Sequence, residues 1–329
     1  MTTVSELHAR AWPVIVDRVR SGTARAYRAA WNVRVEPTFG SIAVGSITTL
    51  DIEEAYAGWP GASSTRNDAL YLLGALCKFA VKGGLIPANP CAGVDRRKDE
   101  HRDPTERSLS DAEAQTLFAL IPASGPYRRF VLAMFYTSCR LGEVAGMRVG
   151  DVDLETLSIS VRRTASAGLH GRLNIGPTKG GRTRIAPVPD PFLPEILAAM
   201  EGKGEHDLLF PGPRGGYINS KNLSRALDWS NIREQIKSFP PEEQPLRWHD
   251  FRHTGLTNLF LAGVSAPDVQ AIAGHASLLT TQMYANTRRD AAKRGAAALS
   301  EFYARQQKLG HQPVTIGALV EARQRSGDA

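Results

Sequence analysis

The chain has 329 residues, of which 42% are hydrophobic and 22% are charged, and its formal net charge is +7 at pH 7. This length predicts about two domains, and the composition is typical of a globular protein. The basic balance favours a polyanionic partner. The longest apolar run, residues 130–136, is far too short to span a membrane, and no basic-then-apolar secretion signal opens the chain.

The three cysteines, Cys77, Cys91 and Cys139, are odd in number and lack the spacing of metal ligands. Such a pattern favours a reducing compartment in which no disulfides form. We therefore expect a cytoplasmic protein that has no membrane partner.

Residues 1–97 have the pattern of a compact helical domain, which begins with an amphipathic stretch at residues 6–19. Three further helices are expected to begin at capping hydroxyl residues, namely Thr23, Thr48 or Thr49, and Ser63 or Ser64. No catalytic constellation is visible in this domain. Residues 98–107 are polar and highly charged, so they predict a linker.

Residues 108–310 mix helix patterns with two short β-branched runs, residues 157–163 and 183–188, that flank a glycine-rich middle. Helices are expected at four places, residues 111–121, 127–138, 222–236 and 289–308. A tail follows at residues 311–329. The predicted fold is therefore mainly α, with a small antiparallel β-sheet in the second domain.

Residues 156–189 contain no acidic residue, although they carry six basic ones. A solvated hairpin explains such a run as well as a polyanion-binding surface does. Four arginines of this run are candidate DNA contacts: Arg162, Arg163, Arg182 and Arg184.

Residues 247–284 gather side chains suited to phosphate chemistry. His249 and Arg252 are three residues apart in a helix expected at residues 250–261, so they share one face. A second helix opens at Ser265 and closes at Gly274, which places His275 just beyond its end. Thr280 or Thr281 is expected to cap a third helix that carries Tyr284. The guanidinium can grip a phosphate, the imidazoles can move protons, and the phenol is a possible nucleophile.

Two positions earlier in the chain fit the same chemistry. Arg140 begins a predicted helix, and Glu143, three residues later, can fix its side chain. Lys179 lies in the segment PTKGGRTR, whose glycines suit a turn that brings an ammonium group into a site.

Together these motifs resemble the boxes of tyrosine recombinases, the phage integrase family. Ser138-Cys139-Arg140-Leu141-Gly142-Glu143 is similar to their first arginine box, and Thr178-Lys179-Gly180 to their β-hairpin lysine. The second arginine box matches His249-Asp250-Phe251-Arg252, and the final box matches Ala273-Gly274-His275 with Tyr284. Two positions depart from the family pattern: Cys139 replaces a frequent glycine, and Ala273 replaces a leucine.

The resemblance implies a site-specific recombinase of the integrase type, folded as a two-domain C-shaped clamp around DNA. Tyr284 would attack the scissile phosphate to give a 3′-phosphotyrosine, Arg140 and Arg252 would clamp the phosphate oxygens, and Lys179 would protonate the leaving oxygen. His249 would help to remove the proton from Tyr284, and His275 would donate to the phosphate. No cofactor, metal or ATP is implied.

The resemblance also implies partners: double-stranded attachment or recombination sites, further copies of the chain in a tetramer, and a directionality factor. The helix at residues 289–308 would be exchanged between subunits. The protein is expected in the cytoplasm of a bacterial host, with the nucleoid. Since the core-binding pattern starts almost at Met1, we expect no separate arm-site domain and favour a phage or mobile-element integrase.

Other functions compete with this interpretation. A Xer-like chromosome dimer resolvase has the same layout. A non-catalytic DNA-binding regulator would need none of the six candidate catalytic side chains. A type IB topoisomerase shares the chemistry but assembles differently. His249 and His253 are four residues apart, a spacing that also occurs in zinc hydrolases. There, however, Asp250 would replace the usual glutamate, and Arg252 would lie beside the metal.

Overall fold

The computed structural model describes residues 1–96, 107–168, 173–178, 180–236, 245–284, 296 and 299–300. The chain divides into a unit Met1–Ala285 and a C-terminal unit Asn286–Ala329. Of the second unit, three helical residues are described. No described helix is both long and apolar enough to cross a membrane.

The first part of the chain is helical. Its helices are α1 (Val4–Arg18), α2 (Ser21–Ala30), α3 (Glu36–Phe39), α4 (Thr49–Gly58) and α5 (Ser63–Lys82). A turn of π-helix, Trp31–Val35, joins α2 to α3. Their buried apolar side chains, drawn from residues 4–94, pack into one hydrophobic core.

Capping side chains set the start of α1 and α4, whereas α2 begins after Arg20 without a side-chain cap and not at the predicted Thr23. Thr3 and Glu6 cap each other's backbone N–H groups, so α1 starts two residues before the predicted stretch. Thr48 caps α4 together with Asp51, as one of the two predicted alternatives stated. The prediction that Ser63 or Ser64 caps the next helix is wrong, because α5 starts after Ala62 without any side-chain cap.

The second part of the described chain carries the remaining helices and all the strands. The helices are α6 (Asp111–Leu120), α7 (Pro126–Thr137), α8 (Leu141–Gly146), α9 (Leu193–Met200), α10 (Ser220–Ala226), α11 (Trp229–Glu234), α12 (Asp250–Leu261), α13 (Ala266–Ala273) and α14 (Leu278–Gln282). The strands are β1 (Val152–Asp153), β2 (Ser158–Val161), β3 (Arg163–Ala167), β4 (Leu173–Pro177) and β5 (Arg184–Pro187). Buried apolar residues between 109 and 251 form a second core.

The strands form two small antiparallel sheets. One has the order β1-β2-β5, with Ile159 opposite Ala186, and the other is the hairpin β3-β4, with Ala165 opposite Ile175. The predicted fold class, mainly α with a small antiparallel sheet, is confirmed. The strands β3 and β4 were not predicted, because their residues are too polar and small to show alternation.

Two predicted helices differ from the structure. The stretch 222–236 forms two helices, α10 and α11, because Asp228 adopts the left-handed conformation (φ 47°) between them. The helix α14 begins after Ser277, whose side chain does not cap it, and ends at Gln282. The predicted cap at Thr280 or Thr281 is therefore wrong, and Tyr284 follows this helix and does not lie in its first turn. The predicted helix 289–308 and tail 311–329 lie almost wholly outside the described residues, as do residues 98–106 of the linker.

Close contact between α12 and α7 fixes the helix that carries Arg252 and follows directly after His249. At Gly255 a Cβ atom would lie 2.9 Å from the carbonyl oxygen of Phe135, and closer still to Oγ of Ser138. Only glycine therefore allows the two helices to approach this closely. The contact brings the start of α8, just after α7, next to the first turns of α12.

Candidate active site

The turn between α7 and α8 aims Arg140. Ser138 reverses the chain direction in a left-handed conformation (φ 55°), and Cys139 is fully buried behind it. Arg140 then caps α8, where Glu143 accepts a hydrogen bond from its backbone N–H at 2.8 Å and from its Nη1 at 3.0 Å. Glu143 therefore holds both ends of Arg140, as the spacing of the two residues predicted.

Glu143 is a buried carboxylate between two arginines. Only 1% of its side chain is exposed, and Arg184 donates to both of its oxygens, from Nη2 at 2.7 Å and from Nη1 at 3.1 Å. Burial pushes the pKa of Glu143 upward, but the charges of Arg184 and Arg140 outweigh burial and hold the pKa below its usual range. Glu143 is thus ionised at neutral pH.

Arg184, one of the four candidate DNA contacts, lies inside the protein. A buried carboxylate needs a partner of opposite charge, and β5 supplies one in Arg184, which is 8% exposed. Its Nε donates to the carbonyl oxygen of Ile272 at 2.7 Å, near the end of α13. A Cβ at Gly274 would lie 2.8 Å from Cδ of Arg184, so this residue also explains the glycine before His275. Arg184 ties α8 to the loop that carries His275.

We expect Arg184→Lys to lower the free energy of unfolding by about 2 kcal/mol, since lysine keeps the charge but cannot form the same set of hydrogen bonds. Urea denaturation followed by circular dichroism measures the change. Arg182→Lys is the matched control, because Arg182 is exposed two residues away. Equal stability of both variants would contradict the bridging role.

Arg252 is the most buried cation of the site. It is 1% exposed; its Nη1 donates to the carbonyl oxygen of Ser138 at 2.9 Å, and its Nη2 donates to that of Ala273 at 2.6 Å. Burial, followed by the charge of Arg140, lowers the pKa of Arg252 to about 10, so it remains a cation at neutral pH. Two carbonyl groups from different segments therefore hold the guanidinium plane in place.

His275 lies against Arg252. Its Nε2 is 3.1 Å from Nη2 of Arg252, and its Nδ1 is 2.9 Å from Oγ1 of the buried Thr281. Since an arginine can only donate, we assign Nε2 as the acceptor and Nδ1–H as the donor to Thr281. Burial and the charge of Arg252 lower the pKa of His275 to about 4, which agrees with a neutral ring.

Tyr284 lies next to His275 in the same cluster of side chains. It is 4% exposed, and its ring centroid lies 6.1 Å from that of His275. Its hydroxyl is 2.7 Å from Nδ1 of His253, a residue that the sequence analysis gave no place in phosphate chemistry. Burial raises the pKa of Tyr284 to about 12, against the opposing charge of Arg252, so the phenol is protonated at neutral pH.

His249 and His253 lie one helical turn apart, but they have different surroundings. His249 is exposed at the start of α12, and its ring meets that of His253 edge-on at 4.9 Å between centroids. His253 is partly buried and contacts Tyr284. Among the described residues, no three His, Cys, Asp or Glu side chains gather as metal ligands would.

Asp250 is a buried structural anion, a role that its sequence motif did not predict. It is fully buried, and it forms ion pairs with the buried Arg107 and, at 2.9 Å, with Nη2 of Arg247. Its partner Arg107 is 143 residues earlier in the chain, so no local pattern could have shown the pair. The pair fixes the first turn of α12, which carries His249 and Arg252.

The remaining candidate arginines lie in the β-strands or just outside them. The side chain of Arg162 is 55% exposed, and Arg182 is exposed as well. Arg163 is 24% exposed, and its Nη1 pairs with Asp151 at 2.6 Å. Lys179 lies outside the described residues. An open cleft of about 840 Å³ is bounded by residues from α8, the β-strands and α13, among them Arg140, Thr178, Arg182 and His275.

The comparisons with known proteins agree on one family. The model described as "Phage integrase family" matches residues 107–290. The tyrosine recombinase XerC of Xylella fastidiosa (strain 9a5c) is 30% identical over 213 residues, which cover 63% of this chain and 64% of the relative. The putative prophage phiRv2 integrase of Mycobacterium tuberculosis (strain CDC 1551 / Oshkosh) is 25% identical over 291 residues, with coverages of 86% and 75%. The chain thus spans just under two thirds of the length of the XerC relative.

Solved structures share the fold. The Tn1549 transposon integrase in complex with a circular intermediate DNA aligns with a TM-score of 0.69 at 17% identity, over 99% of this chain and 100% of that one. A lambda integrase tetramer bound to a Holliday junction aligns with a TM-score of 0.64 at 18% identity, over 84% and 78%. At these identities the likeness shows the fold alone.

Proposed function

This chain belongs to the phage integrase family of tyrosine recombinases, and from that premise we propose that it is a site-specific DNA recombinase that cuts and rejoins strands through Tyr284. One observation carries the proposal. Arg252, His275 and Tyr284 come from three separate segments, yet their side chains form one cluster in which Arg252 and His275 are 3.1 Å apart. Residues that had only to stabilise the fold would not need a buried cation, a neutral imidazole and a phenol at one point.

The chemistry is a transesterification. The oxygen of Tyr284 forms a bond to the phosphorus of a DNA phosphodiester, and the bond from phosphorus to the 5′-oxygen breaks, which leaves a 3′-phosphotyrosine. Charge grows on the non-bridging oxygens in the transition state, where Arg140 and Arg252 stabilise it. One such donor contributes roughly 3–4 kcal/mol in comparable oxyanion sites. The 5′-hydroxyl of a partner strand reverses the step, so the bond energy is conserved.

Proton transfers complete the step. We assign the protonation of the leaving 5′-oxygen to Lys179, on the basis of the family motif. The proton of Tyr284 leaves towards the histidines of α12, with His249 as the group in contact with solvent. A phosphate next to His275 would raise the low pKa of this imidazole, because a neighbouring anion favours the protonated ring. His275 could then donate to a phosphate oxygen.

The proposed partners follow from the same function. Double-stranded recombination sites would bind between the two domains of a C-shaped clamp, with Arg162, Arg163 and Arg182 near the phosphates. Four copies would assemble on two paired sites and exchange the helix at residues 289–308, and a directionality factor would bias the outcome. The working location would be the cytoplasm of a bacterial host, at the nucleoid.

Two biological roles fit this chemistry. Integration and excision of a phage or mobile element is the role that we favour, since the alignment with the prophage phiRv2 integrase extends over 86% of the chain. Chromosome dimer resolution is the alternative, supported by the higher identity to the XerC of Xylella fastidiosa, 30%.

Covalent capture tests the proposal. DNA duplexes that bind the full chain are selected from a random-sequence pool and nicked at random, so that in some molecules a short 5′-hydroxyl fragment diffuses away after cleavage. In EDTA, a denaturing gel should show a covalent protein–DNA band, and mass spectrometry of the digested adduct should place the nucleotide on Tyr284. Tight binding without any covalent band would instead support the non-catalytic regulator.

A further inference from the structure

His253 is in direct contact with the reacting atom of the proposed nucleophile. Its Nδ1 is 2.7 Å from the hydroxyl oxygen of Tyr284, and the two rings are nearly parallel at 5.6 Å between centroids. The mechanism described above uses the histidines of α12 only for the proton of Tyr284 and gives none of them a part in orienting its oxygen. The contact joins residues that are 31 positions apart. It involves the hydroxyl oxygen of Tyr284, whose orientation decides whether this oxygen can attack a phosphate.

The direction of this hydrogen bond follows from the protonation states. Burial, followed by the charge of the neighbouring His249, lowers the pKa of His253 to about 3, so its ring is neutral at pH 7. The phenol of Tyr284, with its raised pKa, keeps its proton. We therefore assign Tyr284 as the donor, Nδ1 of His253 as the acceptor, and Nε2 as the nitrogen that carries the ring proton.

The two partners differ in how firmly the fold holds them. His253 lies in the middle of the first half of α12, a helix anchored by the buried Asp250 and by the close packing at Gly255. Tyr284 follows α14, which has only five residues and so cannot fix its own position by helix formation. The hydrogen bond from Tyr284 to His253 therefore fixes the position of the tyrosine relative to the longer helix α12.

The same helix carries Arg252, the residue next to His253 in sequence. Both groups therefore lie on one rigid helix: the guanidinium that would bind the phosphate and the imidazole that holds the nucleophile. A reacting pair must be aligned to a fraction of an ångström for in-line attack. A shared helix supplies this alignment, because both groups keep a fixed relation to the same backbone.

We propose that His253 is the positioning residue for the nucleophile, and that its Nδ1 holds the hydroxyl of Tyr284 so that the oxygen faces the phosphate clamped by Arg252. The inference rests on the proposed recombinase function. It assigns His253 a task distinct from that of His249, which is exposed and whose ring meets that of His253 edge-on.

Three variants of the full chain separate positioning from packing. His253→Asn keeps an acceptor oxygen at the place of Nδ1, His253→Gln moves it to the place of Nε2, and His253→Leu removes it. On the nicked duplexes we expect covalent complex to form on the order of 10- to 100-fold more slowly with leucine and glutamine, and close to the wild-type rate with asparagine. Thermal stability and DNA affinity should not follow this order.

A modified substrate distinguishes a defect in nucleophilic attack from a defect in protonation of the leaving group. A sulfur atom in place of the bridging 5′-oxygen gives a leaving group that needs no proton, so defects in leaving-group protonation disappear. The defect of His253→Leu should persist on this substrate, whereas that of Lys179→Ala should be relieved. Rescue of His253→Leu by the sulfur substrate, or a glutamine variant as active as the asparagine variant, would overturn the assignment.

A spectroscopic measurement tests the contact without any turnover. In protein labelled with ¹⁵N-histidine, the ring of His253 should show the Nε2–H form, and its Nδ1 resonance should move when Tyr284 is replaced by phenylalanine. Loss of the signal in His253→Asn assigns it among the eight histidines. An Nδ1–H ring or an unmoved resonance would refute the contact. If the wild type forms no covalent complex, the proposed function fails, and this measurement still decides the contact.

Discussion

Tyr284→Phe should abolish the covalent protein–DNA complex, with a loss on the order of 10⁴-fold or more. The substitution removes the only atom of this residue that could bond to phosphorus and leaves the ring in place. The cost in stability should be about 1 kcal/mol, because one hydrogen bond to His253 is lost. Denaturing gels measure the complex, and gel shifts on intact duplexes should show unchanged binding.

Tyr56→Phe is a matched control for this variant. Tyr56 is also 4% exposed, and its hydroxyl donates a hydrogen bond of 2.7 Å, to Asn67 of α5. Its loss should cost the same order of stability but leave the covalent complex intact. A Tyr284→Phe protein that still formed the complex would require another nucleophile and would end the present mechanism.

Asp250→Asn should lower the free energy of unfolding by about 3–5 kcal/mol, the range for a buried ion pair that loses one partner. Asparagine has nearly the same size, so no cavity forms, but Arg107 is then a buried cation that faces a neutral amide. Arg247, whose side chain is 45% exposed, can turn to solvent and should contribute less to the loss. Chemical denaturation at pH 7 measures the difference.

The effect of Asp250→Asn should depend on pH with a defined sign. Burial raises the pKa of Asp250, but the hydrogen bonds from Arg107 and Arg247 outweigh burial, so the folded-state pKa lies below its usual value. The pair therefore stabilises the fold fully above the unfolded-state pKa of about 3.9. This stability is lost as the pH falls through the folded-state pKa, so wild type and variant should converge in acid.

Asp153→Asn is the control for this pair of experiments. Asp153 is exposed, and its Oδ1 accepts from the backbone N–H groups of Glu155 and Thr156, which an asparagine oxygen can also do. We expect a change within about 0.5 kcal/mol at pH 7. A comparable loss of stability in both variants would mean that the buried ion pair stabilises the fold no more than an exposed carboxylate does.

The sequence by itself determined the elements whose signals are local. The bounds of α12 were predicted correctly. The ends of α13 were predicted from Ser265 and Gly274, because capping depends on neighbouring backbone groups. The link from Glu143 to Arg140 was predicted for the same reason, as the two residues are three apart. The set of candidate side chains came from a resemblance carried by these short motifs.

Only the tertiary structure decided how distant residues are used. Arg184 belongs to a basic run that predicted DNA contacts, yet its guanidinium lies inside, where the buried Glu143 requires a counter-charge. Asp250 is paired with Arg107 and Tyr284 with His253, across 143 and 31 residues. Sequence periodicity reports which side of an element is apolar, but it contains no information on which polar groups from other elements will share the interior. Those partners are set when helices and strands pack, because each buried charge or hydroxyl must then be matched.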